Sequence, residues 1–314
     1  MTALRSLCVL GDINVDVVAD LSTVLQGDMA QIAAAKHVRA SVAWRPGGTG
    51  AAVAAAARAL DVADVRLVGK VGRDAHEPRR SDLGGRHVLE WLEGLGVHLA
   101  VTLCAEAPTG TVMISFFGED ARIMVADAGA NRTFCNDDLL PSIRDAVATS
   151  EVFFVSGYAL TVPERAAAVD ALMELVRTRG GLVVLDVVPH QIHREIAPGQ
   201  FEAMLRNVDF LVSEVATLGR LLFSSRTEAE QVALPVEDAW ARVSRECPAA
   251  LLRTSNETQY LCVAGRVPVA SSTGYSAVPV EQRRGFSERA TLTILVDSYE
   301  CLRTAAQRAR ATSA

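Results

Sequence analysis

The chain has 314 residues, of which 50% are hydrophobic and 22% are charged. This length and apolar content suffice to bury a sizeable core, which excludes a disordered chain and a disulfide-stapled miniprotein. Acidic residues (37) outnumber basic ones (31), so the net charge of −6 is not that of a typical nucleic-acid-binding protein, and no nucleic-acid partner is expected.

The six cysteines are widely separated, with no CxxC pair and no histidine at a zinc-binding spacing. This pattern predicts reduced core thiols and no metal site, because free cysteine behaves as a small hydrophobic residue. The chain has no run of about 18 uncharged apolar residues and no recognisable export signal. We therefore expect a cytoplasmic protein without a membrane partner.

Hydrophobic patterning predicts a buried strand at 7–10 and an extended segment at 14–20, and then alternating helices and strands. The later predicted elements are a helix at 51–60, a strand at 65–71, a helix at 87–95, strands at 111–117 and 121–127, a strand at 152–155, a helix at 162–179, a strand at 182–186, a helix at 198–206, a strand at 208–212, a helix at 236–246, strands at 250–253 and 259–263, and a helix at 287–308. Gly118-Glu119-Asp120 is a hairpin signal. The alternation favours a parallel sheet covered by helices on both faces.

Several short motifs occur in order along the chain. They are Gly11-Asp-Ile-Asn-Val-Asp16, Gly47-Gly48, Val68-Gly-Lys-Val-Gly-Arg-Asp74, Pro108-Thr-Gly-Thr111, Gly129-Ala-Asn131 and Ser156-Gly157-Tyr158. With this set the chain resembles the ribokinase-like (PfkB) family of sugar and nucleoside kinases. The resemblance implies an α/β chain with a three-layer α/β/α ribokinase-like fold, a mostly parallel central sheet and a small β-sheet lid. One domain would span residues 1–314, with the lid formed from approximately 14–46 and 98–127.

The resemblance also implies a sugar or nucleoside site between the large domain and the lid. Asp16 would accept hydrogen bonds from neighbouring substrate hydroxyls, since a carboxylate accepts two such donors. The positions of Asn14, Gly47, Gly48 and Asn131 match the same pocket. The alternative is that Asp16 caps a turn and the glycines form a tight bend.

For catalysis, the resemblance implies ATP and Mg²⁺ as cofactors and a Gly-Ala-Gly-Asp stretch at a helix start. Gly285-Phe286-Ser287-Glu288 occupies that place, so Gly285 and Glu288 are the candidate catalytic residues, with Glu288 as the base. Ser287 and Arg284 are candidates for binding the nucleotide. Arg283, Arg284 and Arg289 surround this loop and would hold an anionic ligand, or they are solvated.

Two further nucleotide motifs of the family are altered. The family's Asn-x-x-Glu, which helps to organise magnesium, corresponds to Ser213–Ala216, so Ala216 replaces the carboxylate unless Glu214 substitutes for it. The Thr-x-Gly-x-x-Gly turn corresponds to Thr254–Gln259, which keeps Thr254 and has Asn256 and Gln259 in place of both glycines. Thr254 and Asn256 are the cofactor-binding candidates there, and Asn256 is predicted to adopt left-handed geometry.

Three functions remain open from the sequence. The first is an ATP-dependent kinase acting on a hydroxyl of a sugar or nucleoside, with Glu288 as base. The second is a pseudokinase that binds such a ligand without phosphate transfer, which would account for the altered motifs. The third is a repurposed enzyme that runs different chemistry in the same pocket. The exposed edges of a β lid also predict a homodimer formed through the lid.

Overall fold

Two β-sheets organise the chain. The computed structural model describes residues 4–21, 34, 37–117, 122–188, 191–277 and 286–313. In these ranges the strands are β1 (Ser6–Leu10), β2 (Asn14–Asp20), β3 (Ser41–Gly47), β4 (Asp64–Gly72), β5 (His98–Cys104), β6 (Gly110–Phe116), β7 (Arg122–Asp127), β8 (Val152–Ser156), β9 (Leu182–Val187), β10 (Phe210–Glu214), β11 (Ala249–Arg253), β12 (Thr258–Val263) and β13 (Val269–Ser272). The α-helices are α1 (Thr49–Ala59), α2 (Leu83–Gly94), α3 (Pro141–Ala148), α4 (Pro163–Thr178), α5 (Pro198–Leu205), α6 (Val215–Leu222), α7 (Glu228–Val232), α8 (Val236–Val243) and α9 (Phe286–Ser313).

The large sheet has the strand order β13-β12-β11-β10-β9-β8-β1-β4-β5. The strands from β11 to β5 in this order run parallel to their neighbours, and β12 and β13 add an antiparallel edge. The strand β1 lies between β8 and β4, so the chain winds outward from it in both directions. Such a switch point opens a crevice at the carboxyl ends of the parallel strands, where ligands bind in open α/β sheets.

Helices cover both faces of the large sheet. One apolar cluster packs α3, α4, α5, α6 and α8 against one face, and a second packs α1, α2 and α9 against the other. Successive residues of the buried strands point to opposite faces, so Cys8 and Leu10 belong to the first cluster and Leu7 and Val9 to the second. The predicted three-layer α/β/α fold is confirmed. Within the described ranges, no helix combines the length and apolarity needed to cross a membrane.

The small sheet has the order β3-β2-β6-β7 and forms the predicted β lid. Its second segment begins at Gly110 and not near residue 98, because β5 pairs with β4 in the large sheet. The hairpin between β6 and β7 is also present, with Phe116 opposite Arg122. Its predicted turn, Gly118–Asp120, lies outside the described residues.

The closing helix α9 is fixed to the large sheet by a buried carboxylate. Asp209, 3% exposed, accepts a hydrogen bond from the backbone N–H of Val183 at 2.9 Å and pairs with Arg310 near the end of α9. Arg310 also donates to the carbonyl oxygen of Gly181 at 2.7 Å. This network joins α9 to the start of β9, 129 residues earlier in the chain.

We predict that Asp209→Ala lowers the free energy of unfolding by about 3 kcal/mol, because it leaves the Arg310 guanidinium without its counter-charge. Arg206→Ala, which breaks an exposed pair with Glu246, is the control and should cost less than about 1 kcal/mol. Urea unfolding of both variants measures the difference. Equal losses would show that the buried carboxylate does not fix α9.

Candidate active site

Asp16 lies on β2 in the face of the small sheet that carries a short apolar row. Alternation along β2 places it on the same face as Val18, and Val112 and Ile114 follow opposite on β6. The Asp16 side chain is 7% exposed. A Cβ atom on Gly47 would overlap its carboxylate, so only glycine leaves room for Asp16 at this point. The two sequence-predicted residues are therefore in direct contact.

Gly48, directly after β3 of the lid, contacts the backbone at the end of β1. Its φ of +90° lies in the region that favours glycine, and a Cβ there would meet the backbone of Asp12. The N–H of Gly50 then donates to the Asp12 carbonyl at 3.0 Å. Thr49, the first residue of α1, donates from its hydroxyl to Ser156 at 2.8 Å, which links this turn to the end of β8.

Asn131 holds the junction between the two sheets. Its side-chain oxygen accepts from the N–H of Ile13 at 2.9 Å, and its amide donates to the Asn14 side chain at 2.8 Å and to the carbonyls of Ile13 and Ala128. Asn131 is 1% exposed. The structure brings both predicted residues together, but these bonds make Asn131 a positioning residue for Asn14 and the start of β2.

A buried ion pair stands at the end of β1. Asp12 follows the strand, and its carboxylate lies 2.9 Å from the Arg165 guanidinium of α4. Both side chains are nearly excluded from solvent, so each supplies the other's counter-charge in a poorly solvated place. Neither residue was among the candidates from the sequence; Asp12 belongs to the first motif, but its partner lies 153 residues away.

Acidic groups converge around Tyr158, which follows β8. Burial raises the pKa of the Tyr158 hydroxyl, and the negative charges of Asp12, Glu288, Glu195 and Asp186 raise it further. Glu288, in the first turn of α9, thus acts on the same hydroxyl as Asp12 after β1 and Asp186 in β9. The strand ends and the start of α9 together concentrate acidic side chains around Tyr158.

Asp186 is the deepest of these acids. Burial raises its pKa from 3.8 to about 7, with Glu288 and Glu214 raising it and Arg253 lowering it. The carboxyl group therefore exchanges its proton near neutral pH. His190, four residues further along the chain, lies outside the described residues. Among those described, no group of three or more His, Cys, Asp or Glu side chains is placed to hold a metal ion.

Two of the nucleotide-side candidates, Thr254 and Asn256, line a cavity of about 400 Å³. Its walls include Glu214 at the end of β10, Ala216 in the first turn of α6, the segment 232–234, and the turn after β11 that contains both candidates. Thr254 closes this turn by donating its N–H to the carbonyl of Thr258 at 3.1 Å. Both predicted cofactor-binding residues of this turn thus lie beside the altered Asn-x-x-Glu segment.

The altered turn does not recover the geometry of the lost glycines. The prediction of a left-handed Asn256 is wrong, because Asp61 is the one non-glycine residue with positive φ in the described ranges. Asn256 has a side chain that favours such a turn but an ordinary backbone conformation here. Gln259, at the second glycine position, is 3% exposed, and its side-chain oxygen has no hydrogen-bond partner among the described residues.

The start of α9 carries the remaining candidates. Phe286 is its first residue, and its ring packs edge-on against Tyr275, with centroids 5.4 Å apart. Ser287 and Glu288 follow in the first turn. Gly285 and Arg284, as well as Arg283, lie outside the described residues, so their proposed roles stay predictions. Arg289 is exposed.

Comparison with known proteins agrees with this architecture. Residues 4–238 match the model of the pfkB family carbohydrate kinases. The chain belongs to the PfkB family. No curated protein matches it significantly. The matched range includes the lid and the strand ends up to Ala216, and it ends before β11 and α9.

Solved structures show the same fold. The apo adenosine kinase of Trypanosoma brucei brucei is 19% identical with a TM-score of 0.71, and the alignment covers 98% of this chain and 99% of that one. The adenosine kinase of Anopheles gambiae in complex with P1,P4-di(adenosine-5) tetraphosphate is 18% identical with a TM-score of 0.69, covering 98% and 95%. The Arabidopsis thaliana ribokinase complexed with ribose and ATP is 21% identical with a TM-score of 0.63, covering 97% and 91%.

We predict that Asp186→Asn stabilises this PfkB-family chain more at pH 8 than at pH 5. The folded-state pKa of about 7 lies above the ordinary 3.8, so the Asp186 carboxyl contributes to the free energy of unfolding at low pH, and this contribution is lost as the pH rises through 7. An asparagine amide does not titrate, so the variant does not lose stability in this way. Thermal unfolding at both pH values measures it, with the exposed Asp297→Asn as control. A pH-independent difference would contradict the raised pKa.

Proposed function

We propose that this PfkB-family chain is an ATP-dependent kinase that phosphorylates a hydroxyl of a sugar or nucleoside. The observation that carries the proposal is a series of close contacts and charge interactions that leads from the lid to the start of α9. Asp16 contacts Gly47, and the adjoining Gly48 lies on Asp12. Asp12 and Glu288 both act electrostatically on Tyr158. In this proposal, Asp16 binds the polyol and Glu288 is the base, and both face the same crevice.

Each part of the crevice has a role in this reaction. Asp16 accepts hydrogen bonds from two substrate hydroxyls and fixes the sugar ring. Glu288 takes the proton of the reacting hydroxyl. The hydroxyl oxygen forms a bond to the γ-phosphorus of ATP, while the bond from that phosphorus to the β–γ bridging oxygen breaks and ADP leaves with the electron pair. The products are a phosphate monoester, ADP and a proton on Glu288.

Magnesium would arrive with the nucleotide, because Mg²⁺ in such sites is held by phosphates, water and one or two carboxylates. Ala216 offers no ligand at the position where the family has Glu. Glu214 lines the same cavity and is the carboxylate we propose to hold the ion there, directly or through water. Bound in this way, the ion supplies charge neutralisation between the phosphates.

The pseudokinase is the second candidate, and two observations favour it. Ala216 removes a metal-organising carboxylate, and neither Asn256 nor Gln259 restores the glycine turn. Such a protein would still bind a sugar or nucleoside through Asp16. A measurement of phosphate transfer separates the two functions.

We predict that Glu288→Gln lowers the rate of phosphate transfer by about a hundredfold or more while substrate binding is retained, because the amide cannot accept the proton. The purified protein is incubated with magnesium-ATP and pooled pentoses, hexoses and nucleosides, and phosphorylated products are detected by mass spectrometry. Asp297→Asn, exposed on the same helix, is the matched control and keeps full activity.

Two other outcomes would change the conclusion. An active Glu288→Gln protein removes Glu288 as the base. A wild-type protein that binds one of the pooled compounds calorimetrically, yet forms no product with any of them, is a pseudokinase or a repurposed enzyme.

We also propose that two copies pair through the lid. Opposite the Asp16 face, β-sheet pairing aligns Trp44, Val17, Met113 and Val125 in one row across all strands of the small sheet. Trp44, Met113 and Val125 are 55%, 49% and 56% exposed. An apolar row of this kind on a sheet with open edges suits a self-complementary interface.

We predict that Trp44→Glu converts a wild-type dimer into a monomer, because the interface would have to bury a carboxylate. Sedimentation equilibrium gives the mass of each protein. The exposed Val267→Glu, in the loop between β12 and β13, is the control and leaves the dimer intact. A monomeric wild type would exclude pairing through the lid.

A further inference from the structure

Arg253 joins the nucleotide-side cavity to the start of α9. It is the last residue of β11 and lines the cavity. Its Nη1 donates to the Ser287 hydroxyl, and its Nη2 donates to the Ser287 carbonyl at 3.0 Å and to the Thr291 hydroxyl. The guanidinium therefore fixes the first turn of α9, which also carries Glu288, against the carboxyl end of the sheet.

Arg253 has no carboxylate in direct contact among the described residues. All three acceptors of its hydrogen bonds are uncharged, and its charge acts on the Asp186 carboxyl only at longer range. Arg165 and Arg310, by contrast, each pair with a buried aspartate. Of the five N–H donors of the guanidinium, the described part of the chain accepts three, and the Nε–H and one Nη1–H donate to none of the described residues.

The charged side chain of Arg253 lies in the wall of the nucleotide-side cavity. Its other lining residues are Glu214, Val215, Ala216, Val232, Ala233, Leu234, Thr254, Ser255 and Asn256. Among the described residues, Arg253 is the one basic side chain of that lining. The backbone that would approach phosphate through glycines has Asn256 and Gln259 instead, so a polyphosphate entering here meets a formal charge in place of a glycine turn.

We infer that Arg253 binds the polyphosphate of the nucleotide and, through Ser287 and Thr291, positions the turn that carries Glu288. The inference rests on the proposed kinase function and deepens it. A guanidinium is permanently charged and its N–H groups match phosphate oxygens, so the two remaining donors suit this ligand. No bond is made or broken by Arg253; it binds and positions.

Calorimetric titration with magnesium-ATP and with inorganic tripolyphosphate tests the phosphate contact. Arg253→Met should weaken the binding of both probes by about tenfold to a hundredfold, since one charge-assisted contact is lost. Arg253→Lys keeps the charge without the planar fork and should fall between wild type and Arg253→Met. Arg266→Met, at an exposed turn, is the control for general charge and leaves both affinities unchanged.

A second variant separates phosphate binding from the contact with α9. Thr291→Val removes one hydrogen bond to the helix and leaves the guanidinium in the cavity. It should keep the tripolyphosphate affinity within about threefold, because the charge is intact. If Thr291→Val and Arg253→Met lose affinity equally, Arg253 acts only by holding the helix, and the phosphate contact is overturned. The binding of sugars or nucleosides should not change in either variant.

The remaining outcomes distinguish this inference from the proposed function. Wild-type protein that binds magnesium-ATP, with Arg253→Met binding it equally well, overturns the role of Arg253 and leaves the kinase standing. Wild-type protein that binds neither probe overturns both. Should Arg253→Met unfold early in a thermal melt, Arg253→Lys decides. Affinities for both probes below those of the wild type support the guanidinium contact with phosphate, and unchanged affinities overturn it.

Discussion

The candidate active-site crevice depends on one close approach of two backbones. A Cβ placed on Gly11 would lie 2.7 Å from Gly50, and one placed on Gly50 would lie equally close to Gly11. Real Cβ atoms do not approach so closely, so the end of β1 and the start of α1 can meet only as glycines. Because β1 is the switch point of the large sheet and leads directly into the lid, this contact sets where lid, helix and strand ends come together.

Charge balance in the crevice follows from that geometry. Packing the ends of β1, β8 and β9 beside the start of α9 buries Tyr158 and Asp186 and concentrates carboxylates around them, and burial first and the neighbouring negative charges second raise the pKa of both groups. Two arginines offset these negative charges from opposite sides. The positive charge of Arg165 is paired with the carboxylate of Asp12. Arg253 instead lines the nucleotide-side cavity, so its positive charge lies where the negatively charged phosphates of a nucleotide would bind.

The sequence predicted the layers of helices and strands well, and the strand pairing and long-range side-chain contacts poorly. Apolar runs such as 152–155 and 182–186 are continuous because both faces of those strands are buried, and this signal is local. The strand β3 was not predicted, because Arg45-Pro46-Gly47 reads as a turn and its pairing with β2 is set by tertiary contacts. Asn131 was found through its motif, yet its bonds go to the backbone around Ile13. Arg253 was missed, since its partners lie 34 and 38 residues away.

With Arg253 in this role, the altered nucleotide motifs replace one way of binding phosphate with another. Backbone amides in a glycine turn bind phosphate with dipoles that are already fixed, whereas an arginine side chain ordinarily loses rotamer freedom when it binds. Arg253 has already lost that freedom, because Ser287 and Thr291 hold its guanidinium in place. A preorganised cation costs less entropy on binding and interacts more strongly with phosphate than a neutral dipole does. The same bonds transmit the position of the phosphate to α9, so a chain without the glycine turn keeps a direct connection between nucleotide and Glu288.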